Sequence, residues 1–120
     1  MLKNRIRKLL LQGGVDPSLS GYEYLLTSIE LCYEDNALIQ NMTKNLTKNL
    51  YHAVGRIHNT KNVNVERCMR HAIEKMKQTE CSWFRKEVIG LMEKKRALTN
   101  SQFIAICVEI LKMQEVENAK

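Results

Sequence analysis

The sequence has little of what builds sheets, signal peptides or membrane spans. Its 120 residues include one proline and five glycines. No run alternates apolar and polar residues as a half-buried strand does. No apolar stretch approaches the roughly 20 residues of a bilayer-spanning helix. The basic, apolar start lacks the long apolar core and cleavage site of a signal peptide. We therefore expect one all-α domain in a soluble, cytoplasmic protein without a membrane partner.

The four cysteines form no C-x-x-C pair. Three of them lie on apolar helical stripes, where a free thiol packs as a small hydrophobic group. Reduced thiols are therefore expected rather than a disulfide scaffold. Cys68 and His71 have the C-x-x-H spacing of zinc ligands, with Cys81 further along. Because no second ligand pair exists, we expect buried thiols, no metal and no other cofactor.

Motifs of the common enzyme classes are also missing. There is no glycine-rich phosphate loop, no H-E-x-x-H and no G-x-S-x-G. Histidines and glutamates share one segment and could form an acid–base pair. Helix geometry gives a simpler interpretation, because Glu66 with Arg70, and Arg70 with Glu74, have the i,i+4 spacing of stabilising ion pairs. We expect no enzymatic activity.

The net charge of +6 is concentrated in one segment. Eight of the 19 lysines and arginines lie between residues 40 and 77, together with only two of the 13 acidic residues. Elsewhere eleven basic side chains are matched by eleven acidic ones, and all three histidines fall in the basic segment. This distribution is typical of a surface that binds a polyanion. The alternative is a solvated basic face without a partner.

Apolar spacing predicts about six helices. They cover approximately residues 2–12, 20–33, 37–57, 63–78, 82–92 and a last helix from residue 99. In the third, a four-residue repeat over residues 43–50 places Leu46 and Leu50 on one buried stripe with Val54 and Ile57.

Local signals predict the ends of several helices. Gly13-Gly14 should end the first, since glycine adopts the left-handed conformation without strain. Residues 16–18, Asp-Pro-Ser, should form a turn. Two capping boxes are predicted at helix starts, Ser20 with Glu23 and Thr99 with Gln102.

A helix, a short polar turn and an amphipathic helix follow one another between about residues 46 and 78. The connection, His58 to Asn62, is too polar to pack. The following helix has an apolar face and a polar face; the predicted buried residues are Val65, Cys68, Met69, Ala72, Ile73 and Met76, and the predicted outer residues are Glu66, Arg67, Arg70, His71, Glu74 and Lys77. The pattern predicts a helix-turn-helix whose second helix, residues 63–78, enters a DNA major groove. An ordinary amphipathic surface helix is the alternative.

Three blocks of the sequence carry a family resemblance. They are G-Y-E-Y-L at residues 21–25 with Y-E-D at 33–35, V-E-R-C-M-R-H-A-I-E at 65–74, and T-N-S-Q-F-I-A at 99–105. Together they resemble the C-terminal DNA-binding effector domains of stage 0 sporulation protein A, the master response regulator of endospore-forming bacteria. The resemblance implies six helices with an internal helix-turn-helix and sequence-specific binding to promoter elements in double-stranded DNA. It also implies contact with the RNA polymerase sigma subunit and a second copy on tandem sites.

The candidate DNA contacts combine this resemblance with side-chain chemistry. The resemblance implies that Glu66, Arg67, Arg70 and His71 belong to the reading helix. Glu66 suits cytosine N4, and the two arginines suit guanine or phosphate. Residues at the start of the helix would contact bases or phosphates. The full predicted set is Thr60, Lys61, Asn62, Asn64, Glu66, Arg67, Arg70, His71 and Lys75, with Arg56, Lys44 and Lys48 as further phosphate contacts.

The chain departs from the family in several places. Members usually have arginine where this chain has Asn64, so we expect a shifted target sequence, because arginine pairs with guanine and asparagine with adenine. The loop between Gly90 and Thr99 is shorter than usual and lies near the region used for sigma contact. The sequence begins at the first effector helix, whereas the family has a receiver domain before it, so we expect either an excised domain or a stand-alone protein. If the protein stands alone, we expect no control by aspartyl phosphorylation.

Two other functions fit the same features. One is a protein-interaction or decoy module that antagonises a full-length regulator. The other is non-specific binding of DNA or RNA through the basic surface.

Overall fold

The computed structural model describes residues 1–35, 44–78 and 99–118, and the regular structure in these ranges is helical. The helices are α1 (Leu2–Gln12), α2 (Ser20–Glu34), α3 (Lys44–His58), α4 (Asn62–Lys77) and α5 (Asn100–Asn118). The all-α prediction is confirmed. The helix predicted at residues 82–92 lies outside the described residues. Within the three described ranges, no helix combines the length and apolar character needed to cross a membrane.

The end of α1 is a Schellman motif, as the glycine pair predicts. Gly14 has a positive φ of 91°. Its N–H donates to the carbonyl of Leu11 at 3.1 Å, and the N–H of Val15 donates to the carbonyl of Leu10 at 3.0 Å. Leu10 and Val15 are both buried, so the motif also turns the chain back into the core.

One of the two predicted capping boxes forms. At the start of α5, the Thr99 N–H donates to Gln102 Oε1 at 3.0 Å, and the Gln102 N–H donates to Thr99 Oγ1 at 3.1 Å. The box predicted for Ser20 and Glu23 is wrong. Ser20 is already helical, and the residue before it provides no side-chain cap. Glu23 accepts from Arg7 at 3.3 Å instead and so links α2 to α1.

Helix α2 occupies the centre of the described structure and contacts each of the other four helices. Leu25, Ile29 and Cys32 on α2 are completely buried. Burial raises the pKa of Cys32 to about 11, so this thiol stays protonated and packs as a hydrophobic group, as predicted. At the other side of the core, Arg5 Nη2 donates to the Leu111 carbonyl at 2.7 Å and ties α1 to α5.

The buried side of α3 differs in part from the predicted stripe. Leu50 and Val54 are buried as predicted, but Ile57 is 59 % exposed. The last turn of α3 turns Gly55 and His58 inward instead. His58 Nε2 lies 2.7 Å from Thr27 Oγ1 on α2, so a polar contact occupies the place where an apolar one was expected. Leu46 belongs to the residues whose side chains are not described.

Gly21 allows α2 and α4 to approach each other closely. A β-carbon at this position would overlap the carbonyl oxygen of Cys68 and lie 2.8 Å from the β-carbon of Ala72. The first of these neighbours is backbone, so it cannot rotate away as a flexible side chain can. The packing of α4 on α2 therefore depends on the absence of a side chain at residue 21.

We predict that Gly21→Ala destabilises the fold. Alanine gains up to about 1 kcal/mol of helix propensity, but overpacking of a close contact costs typically ~1–3 kcal/mol. Because α4 must move to relieve the overlap, we expect a net loss in the free energy of unfolding, measured by urea denaturation. Ser20→Ala is the matched control, since Ser20 is exposed and forms no cap. It should stay within about 0.5 kcal/mol of the parent. A neutral Gly21→Ala would contradict the close contact.

Candidate DNA interface

A tight turn of Asn59, Thr60 and Lys61 joins α3 to α4. Asn59 has a φ of 55°, in the left-handed region that asparagine tolerates better than most residues. The Thr60 N–H donates to the Gly55 carbonyl at 2.8 Å. A β-carbon on Gly55 would lie only 2.5 Å from the Thr60 carbonyl oxygen. The predicted connection is therefore confirmed as a closely fitted turn, but it is shorter than predicted: His58 and Asn62 are helical, and both are half-buried rather than too polar to pack.

The inner face of α4 fixes the helix on the core. Val65, Met69, Ala72, Ile73 and Met76 are all at most 2 % exposed. These are five of the six residues predicted for the apolar face. The sixth, Cys68, is only half-buried, because it lies at the edge of the face beside Gly21.

Four charged or polar side chains and one valine cover the outer face of α4. The exposed members are Val63, Arg67, Arg70, His71 and Glu74. Their spacing of i, i+4, i+7, i+8 and i+11 places them along one side of the helix. The structure therefore brings Arg67, Arg70 and His71 together on a solvent-facing surface, as the sequence predicts.

The N-terminal end of α4 is electropositive. Its first turn contains no acidic residue, and the N-cap residue, Lys61, makes no side-chain capping bond. Within the described ranges, no side chain accepts from the first backbone N–H groups of the helix, and the helix dipole adds positive potential there. This end of a helix suits a phosphate group or another anion. Lys61 itself is exposed.

Four of the predicted DNA contacts pair with one another within α4 and its turn. Glu66 pairs with Arg70 at 3.6 Å, as predicted from their spacing. The second predicted pair, Arg70 with Glu74, is not among the ion pairs of the described residues. Asn64 Nδ2 donates to Thr60 Oγ1 at 2.8 Å, and Asn64 Oδ1 lies 3.5 Å from the Cys68 thiol. The Asn64 side chain thus lies along the helix flank.

Lys75 is engaged away from the outer face. Its Nζ lies 2.9 Å from Oδ2 of Asp16 in the turn between α1 and α2. Asp16 Oδ1 accepts from the backbone and hydroxyl of Ser18, which confirms the predicted turn. The hydrogen bond from Lys75, with those from Ser18, lowers the pKa of Asp16 well below its usual range. This ion pair anchors the C-terminal half of α4 to the α1–α2 turn.

The remaining predicted contacts fall into two groups. Thr60 and Asn62 are half-buried at the start of α4, and Arg56 is exposed at the end of α3. The side chains of Lys44 and Lys48 are not among the described ones.

For the zinc alternative, Cys81 also lies outside the described residues, and the described ones include no group of three or more metal-ligating side chains.

Sequence reasoning missed two residues of this region, one on the outer face of α4 and one buried behind it. Val63 is 68 % exposed beside the basic residues of α4. It could have been recognised, because it is out of phase with the buried stripe. Asn100, only 7 % exposed, donates from Nδ2 to the Tyr51 hydroxyl and to the Glu66 carbonyl, both at 3.1 Å. It links α5 to both helices of the helix-turn-helix, and no sequence signal pointed to these acceptors.

A family comparison agrees with this geometry. A protein-family model described as sporulation initiation factor Spo0A C terminal matches residues 6–111. The match spans most of the 120 residues and includes α3, the turn and α4.

The Asp16–Lys75 contact makes a pH-dependent contribution to stability. Because the folded-state pKa of Asp16 is lowered, its contribution is complete above the ordinary value of 3.8 and is lost as the pH falls toward the folded value. Asp16→Asn keeps an acceptor for Ser18 but removes the charge. We expect it to unfold at lower urea concentration than the parent at pH 7 and pH 5, with a smaller difference at pH 3. Lys75→Gln should behave in the same way; a difference that persists unchanged at pH 3 would contradict the ion pair.

Proposed function

We propose a function from one premise: the chain belongs to the sporulation initiation factor Spo0A C-terminal family, a family of DNA-binding effector domains. In this proposal the protein acts as a sequence-specific transcription regulator that reads the major groove of promoter DNA with α4. The observation that carries the proposal is the outer face of α4. Arg67, Arg70 and His71 are exposed on one side of a helix whose opposite side is buried and fixed.

The residues of α4 divide between base and phosphate contacts. Arg67 and Arg70 are placed to donate to guanine O6 and N7 or to phosphate, and Glu66 to accept from cytosine N4. Thr60, Lys61 and Asn62 lie at the electropositive start of the helix, where phosphate binding is favourable. Lys75 is exposed and forms an ion pair with Asp16 at 2.9 Å, which a phosphate contact would replace.

Two partners extend the proposal to promoter activity. A second copy of the domain binds an adjacent site on the same duplex, and the domain contacts the sigma subunit of RNA polymerase. Both follow from the family resemblance. The loop between Gly90 and Thr99, which the resemblance connects with sigma contact, lies almost wholly outside the described residues.

The first test is an unbiased selection of duplex sequences, followed by affinity measurements across a range of salt concentrations. We expect Arg67→Ala and Arg70→Ala to lose discrimination between the selected duplex and a scrambled one by about 1–3 kcal/mol for each lost guanine contact. A contact to phosphate alone would instead weaken both duplexes equally and reduce the salt slope by about one. Lys3→Ala on α1 is the control, since this exposed lysine lies outside the helix-turn-helix.

The same measurements separate the other functions. Equal loss of affinity for every duplex in both arginine variants would indicate non-specific electrostatic binding. If selection enriches no duplex, direct base reading is wrong, and the decoy function becomes the better explanation.

A second test concerns Asn64. Its amide nitrogen donates to Thr60 and keeps one N–H, and its carbonyl oxygen accepts from the Cys68 thiol and keeps a second lone pair, so the side chain can still pair with adenine N7 and N6. We predict that Asn64→Arg shifts the selected base at one position from adenine to guanine, with a preference of roughly 5- to 150-fold. Asn64→Ala is the control and should lose the preference without acquiring the new one. Identical selected sequences for the parent and Asn64→Arg would show that residue 64 reads no base.

A further inference from the structure

We propose that Val63 is a specificity-determining residue that contacts the C5-methyl group of a thymine in the DNA target. Val63 is the second residue of α4 and is 68 % exposed. It lies one turn before Arg67 and two turns before Arg70 on the outer face. This inference rests on the proposed function, because it assigns a further base contact to the same helix.

The fold gains little from valine at this position, because the side chain is mostly exposed. The buried stripe of α4 begins at Val65, and Val63 lies outside it. An exposed valine in a helix removes little apolar surface from water and has a poorer helix propensity than alanine, lysine or glutamate. A residue that opposes the local preference and stays mostly exposed is a candidate for function.

The position of the Val63 side chain is fixed in two ways. The backbone at the start of α4 is held by the bond from Thr60 to Gly55 and by the bond from the Val65 N–H to the Lys61 carbonyl at 3.0 Å. A β-branched side chain in a helix adopts one strongly preferred χ1 rotamer. Its two methyl groups therefore occupy a defined place and lose little conformational freedom on binding.

The surroundings of Val63 identify the ligand chemistry. Lys61 and Arg67, both exposed, lie on either side of it along the chain. An apolar protein surface placed here would cover these cations without giving them a partner. A DNA major groove supplies phosphates and base acceptors for them, and the thymine methyl is the apolar group on its base edges. N-terminal residues of a recognition helix are also the ones that approach the bases.

The experiment removes the C5-methyl group of thymine from the DNA and, separately, the γ-methyl groups of Val63 from the protein. In the duplex obtained by selection, each thymine is replaced singly by deoxyuridine, which pairs identically but lacks the C5-methyl group. We expect the parent protein to bind one of these duplexes about fourfold more weakly, the equivalent of roughly 0.8 kcal/mol for one methyl group removed from water. Val63→Ala should show a smaller difference between the thymine and deoxyuridine duplexes at that position, because it lacks the two γ-methyl groups.

Val116→Ala is the matched control, because Val116 is a helical valine on α5 with a similar exposed fraction of 59 %. It should respond to deoxyuridine as the parent does. Thermal denaturation checks that Val63→Ala keeps the parent's stability. If the parent and Val63→Ala respond alike to every thymine replacement, the inference is overturned while sequence-specific binding stands. If no duplex is enriched at all, the proposed function fails and this contact fails with it.

Discussion

The direction in which α4 presents its outer face depends on the close contact between α2 and α4 at Gly21. Most helix pairs meet through side chains, which can adopt other rotamers when a neighbour changes. Here the α2 backbone lies against the Cys68 carbonyl and the Ala72 methyl, so the contact cannot be relaxed without moving a helix. Since α2 also contacts the other described helices, the position of α4 is tied to the whole core. Arg67 and Val63 therefore project from a surface with little freedom to reorient.

Polar contacts from outside the helix-turn-helix complete this arrangement. Asn100 of α5 donates to Tyr51 on α3 and to the Glu66 carbonyl on α4, so one buried amide spans both helices. A buried amide without acceptors would cost about 1–3 kcal/mol, which favours the single arrangement that satisfies it. His58 adds a bond from the end of α3 to Thr27 on α2. The angle between α3 and α4 is thus set by α2 and α5 as much as by the turn.

Sequence periodicity was sufficient for the helix class, for the inner face of α4 and for the direction of its arginines, since each depends on neighbours within two turns. It failed where partners are distant in sequence. Glu23 was expected to cap its own helix, but Arg7 on α1 takes its carboxylate. Lys75 is predicted as a DNA contact, and periodicity gives no sign of its ion pair with Asp16, 59 residues away in the sequence. Exposed Val63 is the reverse case, because periodicity identifies only the apolar residues that lie in phase with the buried stripe.

These distant contacts also change the charge that α4 offers to a partner. Asp16 pairs with Lys75 and Glu74 is exposed nearby, so acidic side chains offset part of the basic charge of the C-terminal half, whereas the first turn of the helix contains no acidic residue. Arg70 lies in the middle and pairs with Glu66 at 3.6 Å, with both side chains more than a third exposed. An exposed ion pair of this kind is worth at most about 1 kcal/mol. It can orient Arg70 in the free protein and still be exchanged for a guanine or a phosphate, since a bidentate contact to a base is worth more.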